Sequence, residues 1–331
     1  MMIKLGVVTV MPHGEPWAEV LRRYYPQCEL TAVWDYDPEV AAKFAKDYGV
    51  GRVVERVEDM VDLVDAALIP GGRVPPRAKQ GVEAYIMDWV EVGPSDHLRL
   101  AEPFLKAGKP VNVDKPFADS VTEAQTMIDL SRRHRAPLMS TSAIRYSPQV
   151  VSLKEIIDAG ACGLGDPRTA VLIMGGAPLY WYGIHGLEAL YTVFGPGVEY
   201  VLCDEACRYY GPGNPDAWSG IIKWADQKLG MLHLVRDVPA EKKEPLWPTT
   251  YVLPDFLGVY YQLRVFGTTG VTDIDVKGKT YYTRMLGEFI KMIETGREPI
   301  PLEQTLEVTR ILLALQQAAR TGGRVYVKDI K

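Results

Sequence analysis

A lysine and a histidine stand where a protein could use them for proton transfer. Lys115 follows a short apolar run and precedes a proline, and His185 follows Gly183 at the predicted start of a helix. Oxidising an alcohol by hydride transfer requires a base that takes the hydroxyl proton, and an imidazole at a positive helix end suits that task. We therefore predict Lys115 and His185 as a catalytic pair. The alternatives are an ordinary turn lysine and a helix-start histidine.

An acidic residue and a short loop indicate where a dinucleotide would bind. Asp35 ends the second apolar run, where a carboxylate can accept hydrogen bonds from an adenosine ribose and would repel a 2′-phosphate. The loop from Thr9 to Gly14 reads T-V-M-P-H-G and keeps only the last glycine of the G-x-G-x-x-G pattern, whose bare backbone approaches a pyrophosphate. NAD is therefore the predicted cofactor, rather than NADP. The alternative is a structural turn that binds nothing.

Aromatic side chains directly before His185 indicate the substrate class. Tyr180, Trp181 and Tyr182 are consecutive, and aromatic faces pack on the C–H faces of a sugar while tyrosine hydroxyls satisfy its hydroxyl groups. Arg145 could bind a carboxylate or a hydroxyl of the same ligand, or form an ion pair that bridges two domains. The predicted substrate-binding residues are Arg145, Tyr180, Trp181, Tyr182 and His185.

The elements that must position these residues form two patterns. Over 1–145, short apolar runs alternate with helical segments, which predicts a doubly wound parallel sheet of the Rossmann type. Over 146–331, apolar runs follow one another with few long helices between them, which predicts an α/β domain with an open, largely antiparallel sheet. The alternation of strands and helices is interrupted over about 70–93, directly after the fourth strand. We expect this segment to act as a lid or a subunit-contacting arm.

Composition narrows the function classes. The chain has 331 residues, and 37 Lys plus Arg against 42 Asp plus Glu give a net charge of −5. This balance, without a basic block, argues against nucleic acid as a partner, and no apolar run is long enough to span a membrane. The four cysteines match no metal or redox motif, so we expect reduced thiols, no metal site and a cytoplasmic protein.

Three segments resemble the Gfo/Idh/MocA oxidoreductases. The stretch from Asp96 through A-G-K-P-V-N-V-D-K-P-F, ending at Phe117, is similar to the family segment that contains an E-K-P motif, with Asp114 in place of Glu. Arg145-Tyr-Ser-Pro and Gly183-Ile-His-Gly-Leu-Glu follow in the family's order. The family often has an aspartate four residues before the helix histidine, whereas this chain has Trp181.

The resemblance implies an NAD(P)-binding Rossmann domain and a second domain whose open sheet supports a homo-oligomer, a dimer or tetramer. It also implies a sugar, sugar acid or polyol substrate between the domains, with Lys115 and His185 near the nicotinamide. The predicted cofactor-binding residues are Thr9, Met11, His13, Gly14, Asp35, His97, Asp114, Lys115 and Pro116.

Three functions remain open on the sequence. The leading one is an NAD-dependent dehydrogenase acting on a carbohydrate-like hydroxyl. The second is an enzyme that retains its NAD, oxidises the sugar transiently and thereby allows elimination or glycoside cleavage. The third is a non-catalytic regulator that senses a sugar or dinucleotide, and it would suit the incomplete glycine pattern.

Overall fold

The computed structural model describes residues 2–72, 96–160, 163–176, 179–206, 217–235, 261–276 and 281–331. The predicted lid or arm over 70–93 lies almost entirely outside these residues. By contact clustering the chain forms two compact units: unit 1 is 1–148, 279–313 and 330–331, and unit 2 is 149–278 and 314–329. We expected a single boundary between 145 and 146. The difference is the segment 279–313, which packs with unit 1.

Unit 1 contains a six-stranded sheet that is parallel throughout. Its strands, in chain order, are β1 Ile3–Val8, β2 Cys28–Trp34, β3 Arg52–Val53, β4 Ala66–Ile69, β5 Val111–Val113 and β6 Leu138–Ser140. The spatial order is β3-β2-β1-β4-β5-β6, which is the doubly wound Rossmann order. The prediction of a parallel sheet is confirmed.

Helices cover both faces of this sheet. They are α1 Gly14–Tyr24, α2 Pro38–Tyr48, α3 His97–Lys106 and α4 Val121–His134. Local signals explain their ends: Asp37 caps α2 by accepting from the Glu39 amide at 3.0 Å, and Ser120 caps α4 by accepting from the Glu123 amide at 3.1 Å. The segment Val57–Leu63 is a 3₁₀ helix.

Unit 1 also takes most of the C-terminal helical segment. Helix α7 Tyr281–Thr295 buries Met285, Leu286, Phe289 and Ile290 in the same core cluster as residues of β1 and α1. The Tyr25 hydroxyl donates to the Thr283 carbonyl at 2.6 Å. This apolar face explains why 279–313 joins unit 1.

Unit 2 is built on a seven-stranded sheet. Its strands are β7 Pro167–Gly175, β8 Val198–Ala206, β9 Ala217–Trp224, β10 Leu229–Val235, β11 Tyr261–Gly267, β12 Val271–Val276 and β13 Val325–Tyr326. The order is β12-β11-β7-β10-β9-β8-β13, and every pair is antiparallel except β7 with β10. The predicted open, largely antiparallel sheet is confirmed.

Three further α-helices are α5 Pro148–Asp158, α6 Ile184–Phe194 and α8 Leu302–Thr321. Helix α6 lies close on the unit 2 sheet because Gly186 has no side chain: a Cβ there would come within 2.7 Å of Leu172 Cδ2. Among the described residues, no helix combines the length and apolar character needed to cross a membrane.

Candidate active site

The carboxyl ends of the unit 1 strands bring most of the predicted cofactor residues to one edge. Thr9 to Gly14 follow β1, Asp35 follows β2, and Asp114 to Pro116 follow β5. In a sheet of this order, ligands bind outside the carboxyl ends at the point between β1 and β4 where the strand order reverses. The predicted cofactor residues therefore surround that point from both sides.

In the loop after β1, a residue with a left-handed backbone stands at the position of the first glycine of a glycine-rich loop. Thr9 adopts a left-handed backbone with φ of 69°, a conformation that costs a β-branched residue about 1–2 kcal/mol. Its side chain is fully buried, and its hydroxyl oxygen has no hydrogen-bond partner among the described residues. Strain and an unsatisfied polar atom at one residue are typical of a position held for function.

Asp35 fastens this loop to the end of β2. Its Oδ2 accepts from the Val10 amide at 2.7 Å, and its Oδ1 accepts from the Asp37 amide at 2.9 Å. Each carboxylate oxygen can accept more than one hydrogen bond, so a ribose diol could still donate to Asp35. The ribose contact that the sequence predicted for Asp35 therefore stays a prediction.

Lys115 lies buried in the D-K-P segment after β5. It is 9% exposed, and burial lowers the pKa of its ammonium group while the neighbouring Asp114 carboxylate opposes the shift. A lysine whose charged form is disfavoured gives up its proton more readily than an exposed lysine does. This is a chemical property that an exposed turn lysine would lack.

Asp114 pairs with a residue of the β1 loop. Its Oδ2 lies 2.7 Å from His13 Nδ1, and its side chain is nearly buried. The pairing links two residues 101 positions apart, so no short-range pattern in the sequence indicated it. Tyr282 of α7 also contacts the His13 ring, at 5.7 Å between centroids, and was likewise not predicted.

His97 occupies the first position of α3 and is buried. Its Nδ1 lies 3.2 Å from the Phe117 carbonyl oxygen, and burial lowers the pKa of the imidazole. The side chain therefore ties α3 to the end of the D-K-P-F segment. Within unit 1, Arg145 lies on a short 3₁₀ helix, Ala143–Tyr146, and is partly exposed.

In unit 2, a ring cluster surrounds His185. The His185 ring is 6.1 Å from the Tyr182 ring and 6.0 Å from the Tyr261 ring, while Tyr180 and Trp181 pack edge to face at 5.2 Å. Tyr261 begins β11, and sequence reasoning did not associate it with this site because its partner is 76 positions away.

The backbone before His185 is a π-helical turn, Leu179–Gly183, that runs directly into α6. The start of the helical backbone therefore lies at Leu179, a turn earlier than the sequence predicted, so His185 is further from the positive helix end than we expected. Gly186 fixes the neighbouring backbone against the sheet, which in turn positions His185.

Comparison with known proteins shows that this chain is similar to oxidoreductases. Residues 4–142 match the model of an oxidoreductase family with an NAD-binding Rossmann fold, Gfo/Idh/MocA. Inositol 2-dehydrogenase of Rubrobacter xylanophilus is 31% identical over 162 residues, covering 49% of this chain and 41% of that protein. Trans-1,2-dihydrobenzene-1,2-diol dehydrogenase of Danio rerio is 24% identical over 219 residues, covering 62% and 59%. The chain thus spans about half the length of these two curated relatives.

Solved structures agree over the whole chain. Scyllo-inositol dehydrogenase of Lactobacillus casei, with NAD(H) and scyllo-inositol bound, superposes with a TM-score of 0.78 at 18% identity, covering 99% of this chain and 100% of that one. Myo-inositol 2-dehydrogenase of Lactobacillus plantarum gives 0.77 at 17% identity, covering 100% of each. At these identities the likeness establishes the two-domain fold. The chain matches the Gfo/Idh/MocA oxidoreductase family over residues 4–142, as the resemblance of its motifs predicted.

Proposed function

We propose that the protein is an NAD-dependent oxidoreductase that oxidises a hydroxyl group of a sugar, sugar acid or polyol. The observation that carries this proposal is the buried Lys115, with its lowered pKa, at the carboxyl edge of a family Rossmann sheet beside the strand-order reversal. Similarity to two inositol dehydrogenases supports a polyol-like substrate.

The residues of unit 1 fit a dinucleotide at both ends of its expected path. Asp35, at the end of β2, would accept from the adenosine ribose, Thr9 with its left-handed backbone would lie in the phosphate loop, and Asp114 to Pro116 would lie near the nicotinamide. Met11, His13 and Gly14 complete the loop. NAD, when bound, would supply the hydride acceptor.

Side chains of this protein would orient the substrate hydroxyl and accept its proton. Lys115 would hold the substrate oxygen by a hydrogen bond, and His185 would take the hydroxyl proton as hydride leaves the carbon. Tyr180, Trp181 and Tyr182 would pack on the substrate's C–H faces, and Arg145 would contact one of its polar groups. Because Trp181 replaces an aspartate, the orientation of His185 would depend on the rings of Tyr182 and Tyr261.

We further propose a homo-oligomer, a dimer or tetramer, assembled through the open face of the unit 2 sheet. Alternate residues of β7 and β10 point to that face. Among them, the side chains of Ile173, Met231 and Val235 are 40%, 40% and 41% exposed. An apolar sheet face of this kind is typical of a protein interface.

The test measures cofactor and turnover together. Purified protein is assayed by mass spectrometry for retained NAD and by absorbance for NADH formed from added NAD with inositols, aldoses and sugar acids. We expect net NADH from a polyol or sugar, lost in Lys115→Met and in His185→Asn, with NAD affinity within about threefold of wild type in both. Retained NAD without net NADH would instead indicate transient oxidation in a lyase. Binding of a sugar or NAD without any turnover would indicate a regulator.

A further inference from the structure

A histidine–carboxylate pair crosses the carboxyl edge of the unit 1 sheet. His13 follows β1 and Asp114 follows β5, and β4 lies between these strands in the sheet. The pair therefore passes over the end of β4, beside the point where the strand order reverses and where dinucleotides bind in such sheets.

In Rossmann sheets, the backbone amides of the loop after the first strand usually donate hydrogen bonds to the pyrophosphate. In this protein, most of those amides donate to other groups of the protein. Thr9 N–H donates to the Trp34 carbonyl at 2.7 Å, and Gly14 N–H donates to the Val10 carbonyl at 2.7 Å. The Val10 amide is held by Asp35 at 2.7 Å, and the His13 amide donates to the Pro70 carbonyl at 3.2 Å. Pro12 has no amide hydrogen. Four of the five N–H groups from Thr9 to Gly14 therefore donate within the protein.

The His13 side chain is held rigidly at the same place. Asp114 Oδ2 accepts from Nδ1, the Trp17 ring is stacked on the imidazole at 6.3 Å with 14° between planes, and the Tyr282 ring packs at 5.7 Å. The side chain of His13 is 18% exposed, against 6% for Asp114. The ring therefore has a fixed orientation and keeps some access to solvent.

We propose that His13 replaces the missing glycine-loop amides by donating a hydrogen bond from Nε2 to the pyrophosphate of the dinucleotide, with Asp114 as its positioning residue. This inference rests on the proposed function as an NAD-binding protein. Since Asp114 accepts from Nδ1–H, donation from Nε2 uses the doubly protonated ring, in which both nitrogens carry a hydrogen.

The experiment compares adenosine with ADP-ribose and NAD, because adenosine lacks the pyrophosphate. Affinities are measured by calorimetry for NAD and ADP-ribose and by ligand-observed NMR for adenosine. His13→Phe keeps the stacked ring without its nitrogens, and we expect it to weaken ADP-ribose and NAD about tenfold to hundredfold while adenosine binding stays unchanged. His13→Gln is a second variant that keeps a donor and should recover part of the loss.

Asp114→Asn tests the positioning role. We expect it to weaken ADP-ribose by a smaller factor than His13→Phe does and to leave adenosine binding unchanged, because the ring loses its orientation but keeps Nε2. Unchanged ADP-ribose affinity in His13→Phe, or an equal loss of adenosine affinity, would overturn this inference but not the proposed function. A wild-type protein that binds neither NAD nor ADP-ribose would overturn the proposed function together with it.

Discussion

The burial of Lys115 lowers its pKa, which serves the proposed chemistry but reduces the stability of the folded protein. Burial lowers the pKa of its ammonium from the ordinary value of 10.5, so the folded state binds this proton less tightly than the unfolded chain does. Stability therefore rises as the pH increases from the folded-state pKa towards 10.5 and is lost as the pH falls through that window.

Replacing Lys115 by methionine should remove this cost. We expect Lys115→Met to raise the free energy of unfolding at pH 7 by about 1 kcal/mol or more while abolishing turnover, because an apolar side chain of similar length fills the buried position. Urea unfolding measures the change. The matched control is Lys109→Met, which should lose about 1 kcal/mol because Lys109 Nζ donates to the Val64 carbonyl at 2.6 Å. A lower stability for Lys115→Met would contradict the assignment.

Asp35 combines two tasks that substitutions can separate. Asp35→Ala removes both the acceptor for the Val10 amide and the charge that would face a 2′-phosphate, so NAD affinity should fall about tenfold or more and NADP affinity should fall less. Asp35→Asn keeps an oxygen for the amide and should shift the NAD to NADP ratio with a smaller loss of NAD binding. Direct titration with both dinucleotides provides the measurement. The same ratio in wild type and both variants would exclude a ribose contact.

At the scale of elements, the segment after β4 supports the β1 loop by close backbone contact. A Cβ on Gly71 would overlap the Met11 carbonyl oxygen and lie 2.7 Å from Pro12 Cδ. We expect Gly71→Ala to displace the loop, to destabilise the protein by about 2 kcal/mol or more, and to weaken NAD binding.

Gly323→Ala is the control for that change. No atom lies within 4 Å of a Cβ placed there, so its effect should stay within about 0.5 kcal/mol of zero. Thermal unfolding and NAD titration on the same two variants separate the effects. Equal stability and equal NAD affinity in the two variants would refute the close approach of Gly71 to the loop.

At the scale of the whole molecule, unit 1 is discontinuous in sequence. Residues 1–148 lack α7, whose Met285, Leu286 and Phe289 are at most 2% exposed within the unit 1 core. We expect a fragment of residues 1–148 to lack cooperative thermal unfolding, because loss of these side chains leaves core surface uncovered. Joining 279–313 to it through a flexible linker should restore a cooperative transition, measured by near-ultraviolet circular dichroism. A cooperative fragment without that segment would argue against the shared core.

The proposed assembly makes a further prediction at this scale. Met231→Glu puts a charge on the exposed apolar face of the unit 2 sheet and should dissociate the oligomer in sedimentation experiments. Ile156→Glu, at a comparably exposed isoleucine on α5, is the control and should leave the mass unchanged. A monomeric wild type, or an unchanged Met231→Glu oligomer, would count against the sheet as the interface.

Local pattern was sufficient for most elements because strand and helix periodicity, caps and breakers act over a few residues. The class of both sheets agrees with the sequence prediction. The prediction of Lys115 and Asp35 as site residues also rests on local context, since each follows a recognisable strand. The π turn before His185 was not predictable in this way, because the apolar residues there fit either helical period.

Contacts between distant residues were decided only by the tertiary structure. The pair His13 and Asp114, the packing of Tyr261 on His185, and the place of α7 in unit 1 each join positions far apart in the chain. The sequence by itself determined the resemblance to the Gfo/Idh/MocA oxidoreductases, the doubly wound sheet and the edge where chemistry is expected. Folding decided which buried groups meet there, because burial and hydrogen-bond partners are properties of packing and not of any one segment.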